Sequence, residues 1–213
     1  LGITMKKNKL VLIGAGGHAR SCIDVIEQED KYEICGLVGL SQEVGSKQFD
    51  YEVLTADSGL AQLAKRFRYA LIAVGQIHSP ELRIRLYNQY LAAGFIFPTI
   101  ISSSAYVSPH STVGAGTIVM NGAVINAGAV VGRNCIINSR ALIEHDSQVA
   151  DHCHISTGVI LNGNTSIGTR SFIGSGAIIK EGVSVGAGSL VGMGLTVRHD
   201  LDENSRFKGG ASS

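Results

Sequence analysis

Tryptophan is absent from the 213-residue chain, and charged residues make up only 16% of it. Lysine and arginine (18) nearly cancel aspartate and glutamate (17), leaving a net charge of +1. That balance gives no basic field to draw a nucleic acid and nothing to hold an anionic membrane surface. The four cysteines, Cys22, Cys35, Cys135 and Cys153, form no CxxC pair. Lacking the spacing of a zinc ribbon or a redox dithiol, and with no signal peptide ahead of them, they read as reduced thiols of a cytoplasmic protein. Long apolar runs are missing as well. Residues 10–13 form a run far shorter than the about 20 residues of a membrane span, and glycines follow at once. Residues 1–4, ahead of Met5, read as an added leader. In place of these features stand 27 glycines among many valines and isoleucines, a composition suited to extended structure on tight turns.

The first part of the chain alternates in period. Residues 9–13 (KLVLI) predict a buried strand that runs into Gly14-Ala15-Gly16-Gly17-His18, and residues 19–28 a helix. Residues 33–39 and 70–75 predict two more strands. Residues 79–94 predict a second helix, with Leu82, Leu86 and Tyr90 on one face, Pro80 near its start and Gly94 at its end. Such alternation implies a small parallel sheet, here a Rossmann-like α/β domain over 8–100. Gly14-x-Gly16-x-x-Ala19 fits a loose dinucleotide fingerprint, but the acidic residue that a dinucleotide site uses after the second strand is replaced by Val38-Gly39. This argues against an NAD-dependent oxidoreductase.

Residues 101–213 read differently. Cut into sixes from Ser104, sixteen consecutive hexads carry Val, Ile or Leu at the fourth position, from Val107 to Val197. At roughly one chance in four per site, such a run does not arise by accident. Two residues earlier stands a small side chain, usually Ala, Ser, Thr or Cys. Alternating faces point both inward from a short strand, and three hexads close one coil of a parallel β-helix. Glycine or asparagine directly after the aliphatic is expected to serve the turn backbone.

Within that frame residues eighteen apart stack. Cys135 and Cys153 become inward thiols of the core. His145 lies at a corner between Ala127 and Gly163 and is flanked in sequence by Glu144 and Asp146. His152 takes an exposed corner and reads as solvated, and His154 points outward from a flat face. A carboxylate beside an exposed imidazole makes a general-base pair. Gly163 leaves an open N–H and vacant space suited to an oxyanion contact. Zinc between subunits, as in γ-class carbonic anhydrases, is the competing reading. It is disfavoured because His145, His152 and His154 lie at spacings of seven and two, with no further ligand in a neighbouring coil.

IGAGGHA after a strand, the IAVG strand end, the unbroken hexads and NSRALIEHD together resemble the sugar O-/N-acetyltransferases that act on nucleotide-linked 4-amino sugars, with sialic acid O-acetyltransferases as relatives. The resemblance runs over most of the chain and implies a left-handed β-helix. It also implies a homotrimer with active sites between subunits, acetyl-CoA as cosubstrate and no metal. By the same resemblance His145 is the base that takes a proton from the sugar amine, and Asp146 orients it. Asn138 contacts the amino sugar, His154 the acetyl group or thioester, and Gly163 provides a backbone donor. Ser175 and Met193 line the pantetheine, while Gly16, Gly17, His18 and Gly75 contact the nucleotide sugar. The alternatives are a sialic-acid-type O-acetyltransferase and a non-catalytic β-helix binding protein.

Overall fold

A computed structural model describes residues 7–209; the residues ahead of Met5 lie outside that range. The described residues divide into two compact units, 7–75 with 85–98 and 76–84 with 99–209.

In the first unit β1 (Asn8–Ile13), α1 (Gly17–Glu29), β2 (Tyr32–Gly39), β3 (Lys47–Gln48), β4 (Tyr51–Ala56), α2 (Leu60–Arg66) and β5 (Tyr69–Ile72) follow one another, with α3 (Glu81–Ala92) running back into it. The sheet order is β3-β4-β2-β1-β5, all parallel except the β3–β4 hairpin. Leu10 to Ile13 are each at most 1% exposed, as expected of a central parallel strand covered on both faces. Val11 and Ile13 pack with Leu63, Phe67, Leu86, Tyr87 and Tyr90. The expected strands and helices are present within a few residues; the last strand stops at Ile72, so residues 73–75 form a loop. The hairpin and α2 were not anticipated. Leu82 is 46% exposed, contrary to its expected place on the apolar face, and Arg83 beside it is 1% exposed.

In the second unit two-residue strands stack into three parallel sheets of six, five and seven strands. Ile143 pairs with Ile125 and with Leu161, so each coil is eighteen residues. The inward aliphatics from Val119 to Val197 are at most 2% exposed and form one continuous core with the small residues two positions earlier. The stack begins one hexad ahead of Ser104, since Ile100–Ile101 already pairs with Ile118–Val119. At the other end Leu201 bridges Val185 and Phe207 pairs with Val191, sixteen residues apart in each case, so the last coil is shortened by two.

The small inward residues have a second task. Thr117 Oγ1 donates to Gly132 O at 2.7 Å, Ser147 Oγ to Asn162 O at 2.9 Å and Cys153 Sγ to Gly168 O at 3.1 Å. Each reaches a corner carbonyl fifteen residues ahead, satisfying a buried acceptor that the strand ladder leaves over. The turn backbone differs from expectation. Positive φ falls on the first residue of each hexad from Gly116 on, including Asn134, Arg140, Asp146 and His152, and not on the residue directly after the aliphatic. Glycine after the aliphatic serves close packing instead. A Cβ on Gly132 would stand 2.6 Å from Asp151 N in the next coil.

Ile155→Ala, which empties a fully buried site, is expected to cost about 2–5 kcal/mol in urea unfolding. Ser166→Ala on an exposed face should stay within about 0.5 kcal/mol of the parent.

Candidate active site

The turn after the strand Leu142–Ile143 carries His145 and Asp146. Asp146 adopts the left-handed backbone (φ 60°) that most other corners give to glycine. This conformation turns its carboxylate back on the preceding residue, and His145 Nδ1 donates to Asp146 Oδ2 at 2.9 Å. Both side chains are about two-thirds exposed (66% and 67%). With Nδ1 as the donor, Nε2 is the imidazole's free lone pair.

Two glycines from the flanking coils make this pair possible. A Cβ on Gly163 would stand 2.7 Å from His145 Cε1 and Nε2, and a Cβ on Gly128 would collide with Asp146 Oδ1. The space expected to be vacant beside Gly163 is therefore filled by the imidazole. The Gly163 N–H itself has no partner among the described residues. Gly128 escaped notice because a glycine at the first hexad position is the rule. Glu144, the other carboxylate beside His145, turns to Asn126 Nδ2 at 2.9 Å.

His154 projects from its sheet as expected, but it is only 6% exposed. Its Nδ1 donates to the Gln76 carbonyl at 2.5 Å, its Nε2 lies 3.3 Å from Asn138 Nδ2, and its ring meets Phe172 edge-on at 5.2 Å. Burial, reinforced by the Arg83 charge, pushes its pKa down to about 4, against the opposing effect of the Gln76 hydrogen bond. His152, expected to be solvated, is half-buried; its Nδ1 lies 3.0 Å from Asn134 Nδ2, and burial lowers its pKa. Asn138 Oδ1 accepts from Ser139 N at 2.8 Å. Ser175 Oγ lies 2.8 Å from Ser156 Oγ, and Met193 is 80% exposed. Among the described residues no three His, Cys, Asp or Glu side chains are grouped to hold a metal.

These residues occupy two different edges of the coil. His145, Asp146 and Gly163 follow strands of the six-stranded sheet, whereas Asn138, Ser175 and Met193 follow strands of the seven-stranded sheet and His154 lies on it. The chain by itself brings together His145, Asp146 and Gly163, and separately Asn138 and His154.

In the first unit Gly16 and Gly17 open α1 with nothing within 4 Å of an added Cβ, and Gly75, past the end of β5, has His18 Cβ at 3.6 Å from such a position. All four lie at the carboxyl ends of β1 and β5, next to the point where the sheet order reverses, the usual ligand position of open α/β sheets. Exposed N–H groups at a helix start suit phosphate oxygens. A carboxylate does stand beside Val38-Gly39. Glu43 Oε2 accepts from Leu40 N at 2.7 Å and fills the space where a Gly39 Cβ would point.

Residues 9–90 match the family PglD N-terminal domain, and residues 164–198 match the hexapeptide repeat of succinyl-transferase. No curated protein sequence gives a significant match. Among solved structures, a mutant of perosamine N-acetyltransferase from Caulobacter crescentus in complex with CoA and GDP-perosamine is 30% identical. Its TM-score is 0.86, over 95% of this chain and 93% of that one. The acetyltransferase domain of PglB from Neisseria gonorrhoeae FA1090, also solved in complex with acetyl coenzyme A, is 31% identical with a TM-score of 0.85, over 93% of this chain and 95% of that one. WeeI from Acinetobacter baumannii AYE, 19% identical over 92% of this chain and 94% of that one, shares the fold with a TM-score of 0.80. The stacked coils of the second unit are a left-handed parallel β-helix.

His154 titrates near 4 when folded and near its ordinary 6.5 when unfolded, so the unfolded chain binds more protons between those values. Stability should therefore fall as pH drops from about 6.5 toward 4, with His154 contributing about 2 kcal/mol of loss between pH 7 and 5 and His152 acting in the same direction. Urea unfolding at both pH values measures it, and His154→Gln should flatten the dependence.

Proposed function

The chain belongs to the hexapeptide-repeat sugar N-acetyltransferases that carry a PglD-type N-terminal domain, and from that membership we propose that it transfers the acetyl group of acetyl-CoA to the amine of a nucleotide-linked 4-amino sugar. The observation that carries the mechanism is the His145–Asp146 pair, exposed at an edge and seated between Gly128 and Gly163. The neutral sugar amine attacks the thioester carbonyl carbon while His145 Nε2 takes the amine proton. Asp146 holds Nδ1–H and stabilises the imidazolium that forms. The Gly163 N–H, beside the ring, donates to the carbonyl oxygen as it gains charge. Collapse breaks the C–S bond, and the CoA thiolate leaves with the proton from His145, giving the acetamido sugar and CoA. His154 is no substitute base. With a pKa of about 4 its imidazole is too weakly basic to hold a proton at neutral pH.

Ser175 and Met193 border the pantetheine, and Gly16, Gly17, His18 and Gly75 receive the nucleotide diphosphate. Glu43 and Gly39 flank that turn where a ribose hydroxyl would need an acceptor. The four cysteines are free thiols, in keeping with a cytoplasmic enzyme.

Because His145 and Asn138 stand on different edges, a complete site draws on two copies. The six-stranded sheet offers the contact. Its outward residues Tyr106, Val124, Leu142, Ile160 and Ile178 form an apolar ladder that ends at Thr196, with Tyr106 54% exposed and Ile178 36%. The corresponding ladder of the five-stranded sheet is mostly polar, with Thr112, Gln148, Ser166 and Ser184. A homotrimer packed through the apolar ladder sets His145 of one copy toward Asn138 of the next.

Thiol release from acetyl-CoA against UDP-, dTDP- and GDP-linked 4-amino sugars tests the reaction. His145→Ala should lower kcat/KM about 10²–10⁴-fold with the fold unchanged. Turnover that survives the substitution removes His145 from its role, and turnover only with hydroxyl acceptors makes the enzyme an O-acetyltransferase. Ile160→Glu should abolish association in sedimentation velocity and activity with it; a variant still trimeric and active places the interface elsewhere.

A further inference from the structure

The hydrogen bonds around His154 run in a single direction, and both ends are main-chain groups of invariant polarity. At one end Ser139 N–H donates to Asn138 Oδ1 at 2.8 Å, which turns Asn138 Nδ2 toward the imidazole. An amide nitrogen only donates, so His154 Nε2, 3.3 Å away, accepts and carries no proton. At the other end the Gln76 carbonyl only accepts, so the proton 2.5 Å from it belongs to Nδ1. The two ends independently require the same neutral tautomer.

Gln76 is built to hold that carbonyl still. It is 2% exposed, and its Nε2 donates to His152 O at 2.9 Å. Arg83, 1% exposed, donates from Nε to Asn134 O at 3.3 Å in the coil stacked against His152. Its buried charge opposes protonation of His154, the one event that would reverse the chain by setting an Nε2–H against an Nδ2–H.

We propose that Gln76 is a positioning residue that acts through His154 to hold Asn138 with its second Nδ2–H presented as a donor, so that Asn138 receives an oxygen atom of the bound substrates and not the N–H of the amine. His154, whose Nε2 is already an acceptor, has no proton to give a thioester carbonyl. The oxygen is a sugar hydroxyl or the thioester carbonyl, which share lone-pair chemistry. This role rests on the acetyl-transfer reading; the tautomer does not.

Long-range ¹H–¹⁵N NMR of the ¹⁵N-histidine-labelled full chain at pH 7 reads the tautomer directly. A protonated Nδ1 and bare Nε2 at His154 are expected, and a protonated Nε2 overturns the proposal whatever the activity. Asn138→Asp replaces the donor by an acceptor and should draw a proton onto Nε2; a ring that stays bare there disconnects the two residues and also overturns it. Gln76→Ala should mix the tautomers and lower kcat/KM about tenfold, the size of one lost hydrogen bond. A rise in KM for the amino sugar assigns the oxygen to the sugar, and a fall in kcat with that KM unchanged assigns it to the thioester. A Gln76→Ala protein with the parent's tautomer and rates refutes the positioning role. Absence of turnover in the parent chain removes the role along with the acetyl-transfer reading, while the NMR result still decides the tautomer.

Discussion

Hydrogen bonding between residues eighteen apart governs the second unit. Each strand is only two residues long and has no stability of its own. What persists is the stack, in which every strand but those at the ends pairs above and below and the inward aliphatics pack on their counterparts one coil away. Such repetition restricts every position at once. The first residue of a hexad must accept a left-handed backbone, the second is usually small and, where it is Ser, Thr or Cys, can satisfy a corner carbonyl, and the fourth must fill the axis. Only the outward positions and the corners are left for chemistry.

The two central histidines show how those places differ. His145 sits at a corner, beside a carboxylate and exposed, with glycines in the coils on either side that leave room for its ring and for Asp146. His154 lies on a face, enclosed by Phe172 and the Gln76 carbonyl, and is held neutral. In the function proposed above, one imidazole moves protons and the other holds an orientation. Environment separates their roles, as it does for paired carboxylates in other active sites.

Residues 76–84 supply much of that enclosure. They precede the repeat in sequence yet belong to the same compact unit, and they bring Gln76 and Arg83 against Asn134, His152 and His154. Gln76 and His154 are each tied to a main-chain carbonyl, which restrains them more than an exposed turn is restrained, although Gln76 Oε1 and Asn134 Oδ1 make no hydrogen bond among the described residues. Such restraint suits the orienting role proposed for this network.

The β-helix was legible in the sequence because a six-residue period repeated sixteen times leaves the strand geometry one way to bury its aliphatics. The α/β unit was legible from alternating periods, and the His145–Asp146 pair from two adjacent residues at a known corner. The hairpin and α2 passed unseen, being short and weakly patterned. Stacking register predicted that Gly163 would lie beside His145, but whether the space between them was empty depended on the rotamer of one ring. The burial of His154, the inward turn of Arg83 in place of Leu82 and the carboxylate of Glu43 beside Gly39 were decided by tertiary structure alone. A sequence period records which face a residue takes. What covers that face is set by segments distant in the chain, here Gln76 on His154 across 78 residues, and no local pattern encodes such a contact.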